Sequence, residues 1–265
     1  MKKLIWIFIG IILAGSLLGG CGKKASIGDT TDKIGPDNGE APQYQSFLAE
    51  VIDTANGLLV TPEEGSDAYR SSDRIYVGIN NAVIRDEEGK EMTAEELSAG
   101  DMVMIYYNGV IAESYPAQIT ASELEYIGRD LLLDGYMALI DDIYGEDSGL
   151  NGDITMIAFD TTEWVGLSEI EKEIILSLAK EKYGLDTLQG TFDELAEQGL
   201  IDKENLYFEK GILIELKVVE YQAEDTIIKC SVKKWRSGKG AIGADATAEY
   251  TDGAWKITKT NPWIS

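Results

Sequence analysis

The sequence predicts two folded units in series, a small all-β barrel followed by an α+β domain. Three observations carry this expectation. Residues 46–127 hold short strand-like segments punctuated by glycine, proline and Asn–Gly signals. From residue 129 the apolar spacing changes to the helical period, and Ser/Thr-x-x-Glu capping boxes precede two of the runs. Beyond residue 206 the period returns to two in longer segments, the last two joined by an Asp252–Gly253 hairpin signal.

In the first unit, Phe47-Leu48-Ala49-Glu50-Val51-Ile52 reads as a strand, Asn56-Gly57 as a turn and Leu58-Leu59-Val60 as a second strand. Ile75, Val77 and Ile79 alternate as a third. Thr93-Ala94-Glu95-Glu96 is a capping box for a short helix closed by Gly100. Asp101 to Tyr107 is a fourth strand, and Val110 to Ala112 with Gln118 to Ala121 continue the sheet. Five or so short strands and one small helix fit a small closed barrel of OB type.

The boundary falls near Gly128, and residues 129–265 form the second unit. Leu133, Tyr136, Met137, Ile140 and Tyr144 recur at helical spacing, and Ile154 to Phe159 is strand-like. Ser168-Glu169-Ile170-Glu171 opens a helix whose inner face is Ile170, Ile174, Ile175 and Leu178, with Gly184 as its stop. Thr191-Phe192-Asp193-Glu194 opens another, closed near Gly199. Strands follow at about 206–221, 226–235, 244–250 and 254–260. Helices first and a curled antiparallel sheet afterwards resemble the NTF2-like and cystatin-like cones. In such a cone Trp255 and Ile257 face Ala244, Ala246, Ala248 and Tyr250, and the sheet curls over the helix carrying Ile170. Trp255 is then expected in the core and Trp235 at the mouth of the pocket.

The chain has 265 residues, no histidine, and a net charge of −24. It opens with Lys2-Lys3, an apolar run from Leu4 to Leu18, and Gly19-Gly20-Cys21. A basic start, a short apolar core and small residues before a cut site describe an export signal over residues 1–20. The Leu18-Gly19-Gly20-Cys21 ending resembles the lipobox of bacterial lipoproteins, which implies a lipid on Cys21 after cleavage in front of it. The apolar run is short for a spanning helix, which needs about 20 residues. Residues 21–45 are polar, with glycine and proline, and read as a disordered tether reaching about 27 Å. Removing Lys2 and Lys3 with the leader takes the charge to about −26, which repels phosphate backbones and anionic headgroups. Nucleic acid is therefore excluded as a partner. The membrane is met through the lipid, at the extracytoplasmic face.

The missing histidine removes His-dependent serine, cysteine and metal catalysis. No catalytic residue, metal ligand or cofactor is expected. Cys230 shares the apolar face with Ile228 and Val232 and reads as a buried, inert thiol. Gly238-Lys239-Gly240-Ala241-Ile242-Gly243 matches G-x-G-x-x-G, but strand-like alternation follows it where a dinucleotide site needs a helix. Asp147 to Asp153 gathers acids and glycines, yet in an EF-hand frame Gly149 and Ala158 stand where ligands are required. Lys229, Lys233, Lys234, Arg236 and Lys239 form a basic cluster that reads as a solvated strand face. With Trp235 beside them, Arg236 and Lys239 are candidate anion-binding residues. In Glu113-Ser114-Tyr115-Pro116-Ala117-Gln118 the proline interrupts the ladder, and Tyr115 and Gln118 are the other candidate binding residues.

The Glu-Ser-Tyr-Pro-Ala-Gln segment resembles an uncharacterised OB-like domain in lipoproteins of Bacillus- and Clostridium-type bacteria. Ile201-Asp202-Lys203-Glu204-Asn205-Leu206-Tyr207-Phe208, Trp235-Arg236-Ser237-Gly238 and Trp263-Ile264-Ser265 resemble a module fused to Clostridium-type membrane metallopeptidases of the β-lactam-sensor kind. The peptidase part and its H-E-x-x-H motif are not in this sequence. The expectation is a non-enzymatic cell-envelope lipoprotein that binds or senses an envelope protein or a small ligand. Its alternatives are a carboxylate-dependent hydrolase working in the cone pocket and a structural accessory of a membrane complex.

Overall fold

The computed structural model describes residues 44–222 and 226–265. The leader, Cys21 and the tether up to residue 43 lie outside the described residues. No helix among those described is long and apolar enough to cross a membrane.

The first sheet comprises β1 (Gln45–Asp53), β2 (Leu58–Pro62), β3 (Ile75–Gly78), β4 (Val83–Arg85), β5 (Asp101–Tyr107) and β6 (Ala117–Arg129), with a five-residue helix α1 (Asp67–Ser71) between β2 and β3. Its order is β3-β2-β1-β5-β6, and β6 returns to pair with β3 in parallel, which closes a five-stranded barrel. β4 joins the outside of β6. The expected capping box is present, with Thr93 and Glu96 bracketing a single 3-10 turn. Along β5 the alternation turns Asp101, Val103, Ile105 and Tyr107 inward. β1 is buried on both faces from Phe47 to Ile52, which explains why its apolar residues do not alternate and are interrupted only by Glu50. Ala49 and Val51 belong to the barrel core, whereas Ile52 belongs to the core of the second half.

That second half is built from α2 (Leu131–Gly145), β7 (Met156–Asp160), α3 (Glu169–Tyr183), β8 (Asp186–Gln189), α4 (Phe192–Glu197), β9 (Gly211–Gln222), β10 (Ile227–Ser237), β11 (Gly240–Thr251) and β12 (Ala254–Ile264). Its sheet runs β12-β11-β10-β9-β7-β8. β9 to β12 form the expected antiparallel meander, closed by Asp252 and Gly253, both at positive φ. β7, however, lies parallel to both β8 and β9, so the sheet is mixed. The Ala248–Ile257 and Tyr250–Trp255 pairs occur in the expected register.

The helix resting on the meander is α2, where the sequence predicts α3. Gly135 makes the seating possible: a Cβ at that position would stand 2.7 Å from Ile228 and from the Trp255 indole. Tyr136 fixes its rotation, donating to the Val165 carbonyl (3.0 Å) and accepting from the Val165 N–H (2.7 Å). α3 instead packs beside α2 and reaches β8 and β1. Side chains of α2 and α3 share one buried core with Ile214, Leu216, Ile228 and Val232 on one face of the sheet. Behind the sheet, Phe208, Leu213, Trp235 and Leu195 form a separate small core.

Candidate functional site

Three places gather chemistry-bearing side chains. The first is the junction between the barrel and α2. Asp130 lies between Arg129, the last residue of β6, and α2, which it caps by accepting from the N–H groups of Leu132 (2.8 Å) and Leu133 (3.2 Å). Glu171 closes the capping box of α3, accepting from the Ser168 N–H at 2.5 Å. Glu50 comes from the outward face of β1, and carboxylate oxygens of all three lie within 4.8 Å of one another. An all-oxygen donor set suits a hard cation such as calcium or magnesium. Two of its members already have a structural task as helix caps.

Beside it, Arg129 bridges Asp101 (2.8 Å) and Asp134 (2.8 Å). Burial pushes the Asp101 carboxyl above the usual aspartate range, against the opposing pull of the Ser98 N–H and of Arg129. Hydrogen bonding to Asp134 raises the Arg129 guanidinium further.

The second place is a polar cleft of about 400 Å³ beyond the carboxyl ends of β7 and β8, lined by Asp160, Thr161, Thr162, Gln189, Thr191 and Glu194 among others. Ligands of open sheets with parallel strands gather at such ends. The Gln189 amide donates to the Thr161 hydroxyl at 2.5 Å, and the Thr162 hydroxyl to Asp160 at 2.5 Å. The Thr191 backbone N–H and hydroxyl hold Glu194 at 2.8 and 2.9 Å and keep its carboxyl below the usual range. Carboxylates, hydroxyls and amides without a cation favour a neutral or cationic hydrogen-bonding ligand and repel an anion.

The third is the basic cluster. Trp235 is only 7% exposed and sits edge-on to Phe192, with ring centroids 5.0 Å apart. It is a core residue of the sheet's rear face and does not form a pocket mouth. Trp255 is the less buried of the two. Arg236 donates to the carbonyls of Leu150 (3.0 Å) and Gly152 (2.6 Å), pinning the α2–β7 loop. Lys234 is 0% exposed, so the cluster is not uniformly a solvated face. Its ammonium is ringed by the carbonyls of Tyr144, Glu146 and Asp147 and by the Asn151 amide oxygen. Burial pulls its pKa down to about 8, while Asp147 and Glu146 pull it up. Lys229 and Lys233 pair with Glu220 and Glu215 at 2.8 Å. Lys239 is exposed in the β10–β11 turn, where the glycine-rich segment connects two strands.

Tyr115 is 71% exposed in the loop before β6, and its neighbour Gln118 points outward on that strand. No hydrogen bond or ion pair among the described residues joins these two to Trp235, Arg236 or Lys239. Cys230 is buried as expected, and burial pushes its thiol up to about 12. No family model matches the chain, and no curated protein matches it.

The junction acids and the cleft were missed in the sequence because tertiary packing assembles them. Lys234 did leave a signal: it continues the parity of Ile228, Cys230 and Val232 on the apolar face.

Proposed function

We propose that this protein is a non-catalytic lipoprotein of the cell envelope, anchored through Cys21, whose folded part recognises an envelope component at its surface. The observation that supports the non-catalytic part of this reading is that apolar side chains of α2 and α3 pack with one face of the sheet in a single buried core, where the cone-pocket hydrolase reading needs an open pocket. The cleft at the ends of β7 and β8 is then a place for a ligand, and its lining selects a neutral or cationic partner rich in hydrogen-bonding groups. The strand order of the barrel, with its parallel closing pair, supports the OB-type assignment. The meander packed on α2 supports kinship with the cone folds, and the change from barrel strand to helix just after Gly128 supports a boundary there.

The hydrolase alternative needs a carboxyl that holds its proton near neutral pH. In the cleft Glu194 is held in the opposite direction. At the junction Asp101 is raised but committed to Arg129.

A photo-crosslinking residue at Thr162, in the cleft, tests the reading on intact cells. The expected result is a discrete adduct to a membrane or wall component that disappears in the Cys21→Ala chain. An adduct equally abundant without Cys21 would overturn the envelope assignment. A Thr162 probe that labels nothing, beside a Tyr115 probe that captures a protein, would transfer recognition to the barrel and favour the accessory role.

A further inference from the structure

The loop after α2 drew attention in the sequence as an imperfect calcium loop. In the folded chain its oxygens do converge on a cation, the ammonium of Lys234. Nζ lies 3.0 Å from the Tyr144 carbonyl, 3.3 Å from that of Asp147 and 3.1 Å from Asn151 Oδ1, with the Glu146 carbonyl as a fourth contact. The Tyr144 ring lies below it, 5.9 Å to the centroid. Every one of these groups is an acceptor, and three are backbone carbonyls at or just past the negative end of a helix dipole.

Contacts that do not involve the ammonium also brace the cage. Asp147 and Asp153 adopt left-handed backbone conformations that bend the loop inward. Asn151 Nδ2 donates to the Tyr144 carbonyl at 2.9 Å, which turns Oδ1 toward the ammonium. Arg236 ties down Leu150 and Gly152, and Lys259 pairs with Asp142 (2.8 Å) and with Glu146. The Tyr144, Asp147 and Asn151 oxygens stand 3.0 to 3.3 Å from the ammonium, farther than calcium takes its oxygens, at about 2.3–2.6 Å. Backbone carbonyls are the ligands by which filters accept potassium in place of its water.

We propose that this loop is a monovalent-cation site whose ion is the chain's own Lys234 ammonium, and that removing the side chain opens the site to ammonium or potassium. The covalent stem supplies the ammonium at a high effective concentration, which a free ion must match by mass action.

The test is thermal melting of full-length Lys234→Ala in lithium, sodium, potassium, ammonium or tetramethylammonium chloride, each at about 0.5 M so that screening is constant. The variant is expected to melt roughly 6–12 °C below the parent in lithium or tetramethylammonium. Potassium and ammonium should recover about half of that loss, while the parent melts alike in all five salts. Lys234→Met fills the stem's space without leaving an ion-sized hole and should respond to none of them. Equal melting of Lys234→Ala in all salts, or the same rescue of Lys234→Met, would overturn the proposal. Should Lys234→Ala not fold, nitrogen-15 spectra of the parent's lysine side chains at pH 6 decide. A slowly exchanging, hydrogen-bonded Lys234 ammonium supports the cage, and one exchanging as fast as the exposed lysines overturns it.

Discussion

The two halves of this molecule bury a charge in opposite ways. In the barrel, Asp101 is buried and met by a full opposite charge, the Arg129 guanidinium. In the sheet half, Lys234 is buried and met by dipoles, a ring of carbonyl and amide oxygens. A counter-charge ties Asp101 to the junction, because Arg129 ends β6 and also reaches Asp134 in α2. The dipole cage ties Lys234 only to its own neighbourhood. The barrel's buried charge thus couples the halves, and the sheet's buried charge closes a loop.

The largest effects should come from the two cores. Tyr136→Ala should cost about 3–5 kcal/mol and Ile105→Ala about 2–5 kcal/mol. Hydrogen exchange should show each loss of protection concentrated in its own half, because the two residues lie in separate apolar clusters. Loss spread evenly over both halves would break the comparison. On the rear of the sheet, Trp235→Ala should cost about 3–5 kcal/mol and the less buried Trp255→Ala about 1–3 kcal/mol, read from urea melts. The sequence alone predicts the reverse order.

Next in size is the junction. Arg129→Met leaves Asp101 buried beside an apolar side chain, and should cost about 2–3 kcal/mol because the arginine is itself partly exposed. A barrel fragment of residues 44–129 should accordingly unfold at higher urea than one of 46–127, which lacks Arg129. Equal midpoints would mean that the ion pair does not hold the barrel rim.

The smallest effects are the slopes of stability against pH, and they have opposite signs. Asp101 is raised in the folded state, so its contribution is present below the ordinary aspartate value of about 3.9 and is lost as pH rises through the folded value. Lys234 is lowered to about 8, so its contribution is present above the ordinary lysine value of about 10.4 and is lost as pH falls through about 8. Urea melts across pH should show Asp101→Asn flattening the acid limb and Lys234→Met the alkaline one. Retention of either slope in its variant would assign it to another group.

Most elements were legible because their apolar period was strong: β5 was read from Asp101 to Tyr107, and the capping boxes at Ser168 and Thr191 mark the starts of α3 and α4. β8 was not, because Asp-Thr-Leu-Gln is too short and polar to alternate visibly; it is a strand because β7 offers it a parallel edge. The wrong helix was placed on the meander because an apolar stripe does not say which sheet face covers it. Gly135, the residue that decides the matter, reads in a helix only as a weak propensity. Of the site, Cys230 followed from strand parity; Lys234 has the same parity but reads as part of a solvated basic face, because its charge outweighs its position in the pattern. Glu50, Asp130 and Glu171 come from three separate stretches of chain and meet only in the fold.

Between the end of β6 at Arg129 and the start of α2 at Leu131 stands the single residue Asp130. The helix therefore inherits its angular phase from the strand with no slack to correct it. Each residue of an α-helix advances the phase by about 100°. One residue inserted after Asp130 would swing Gly135 away from the Trp255 indole and Tyr136 away from Val165 together. The junction works as an index mark, setting which side of the helix meets the sheet by counting from the barrel.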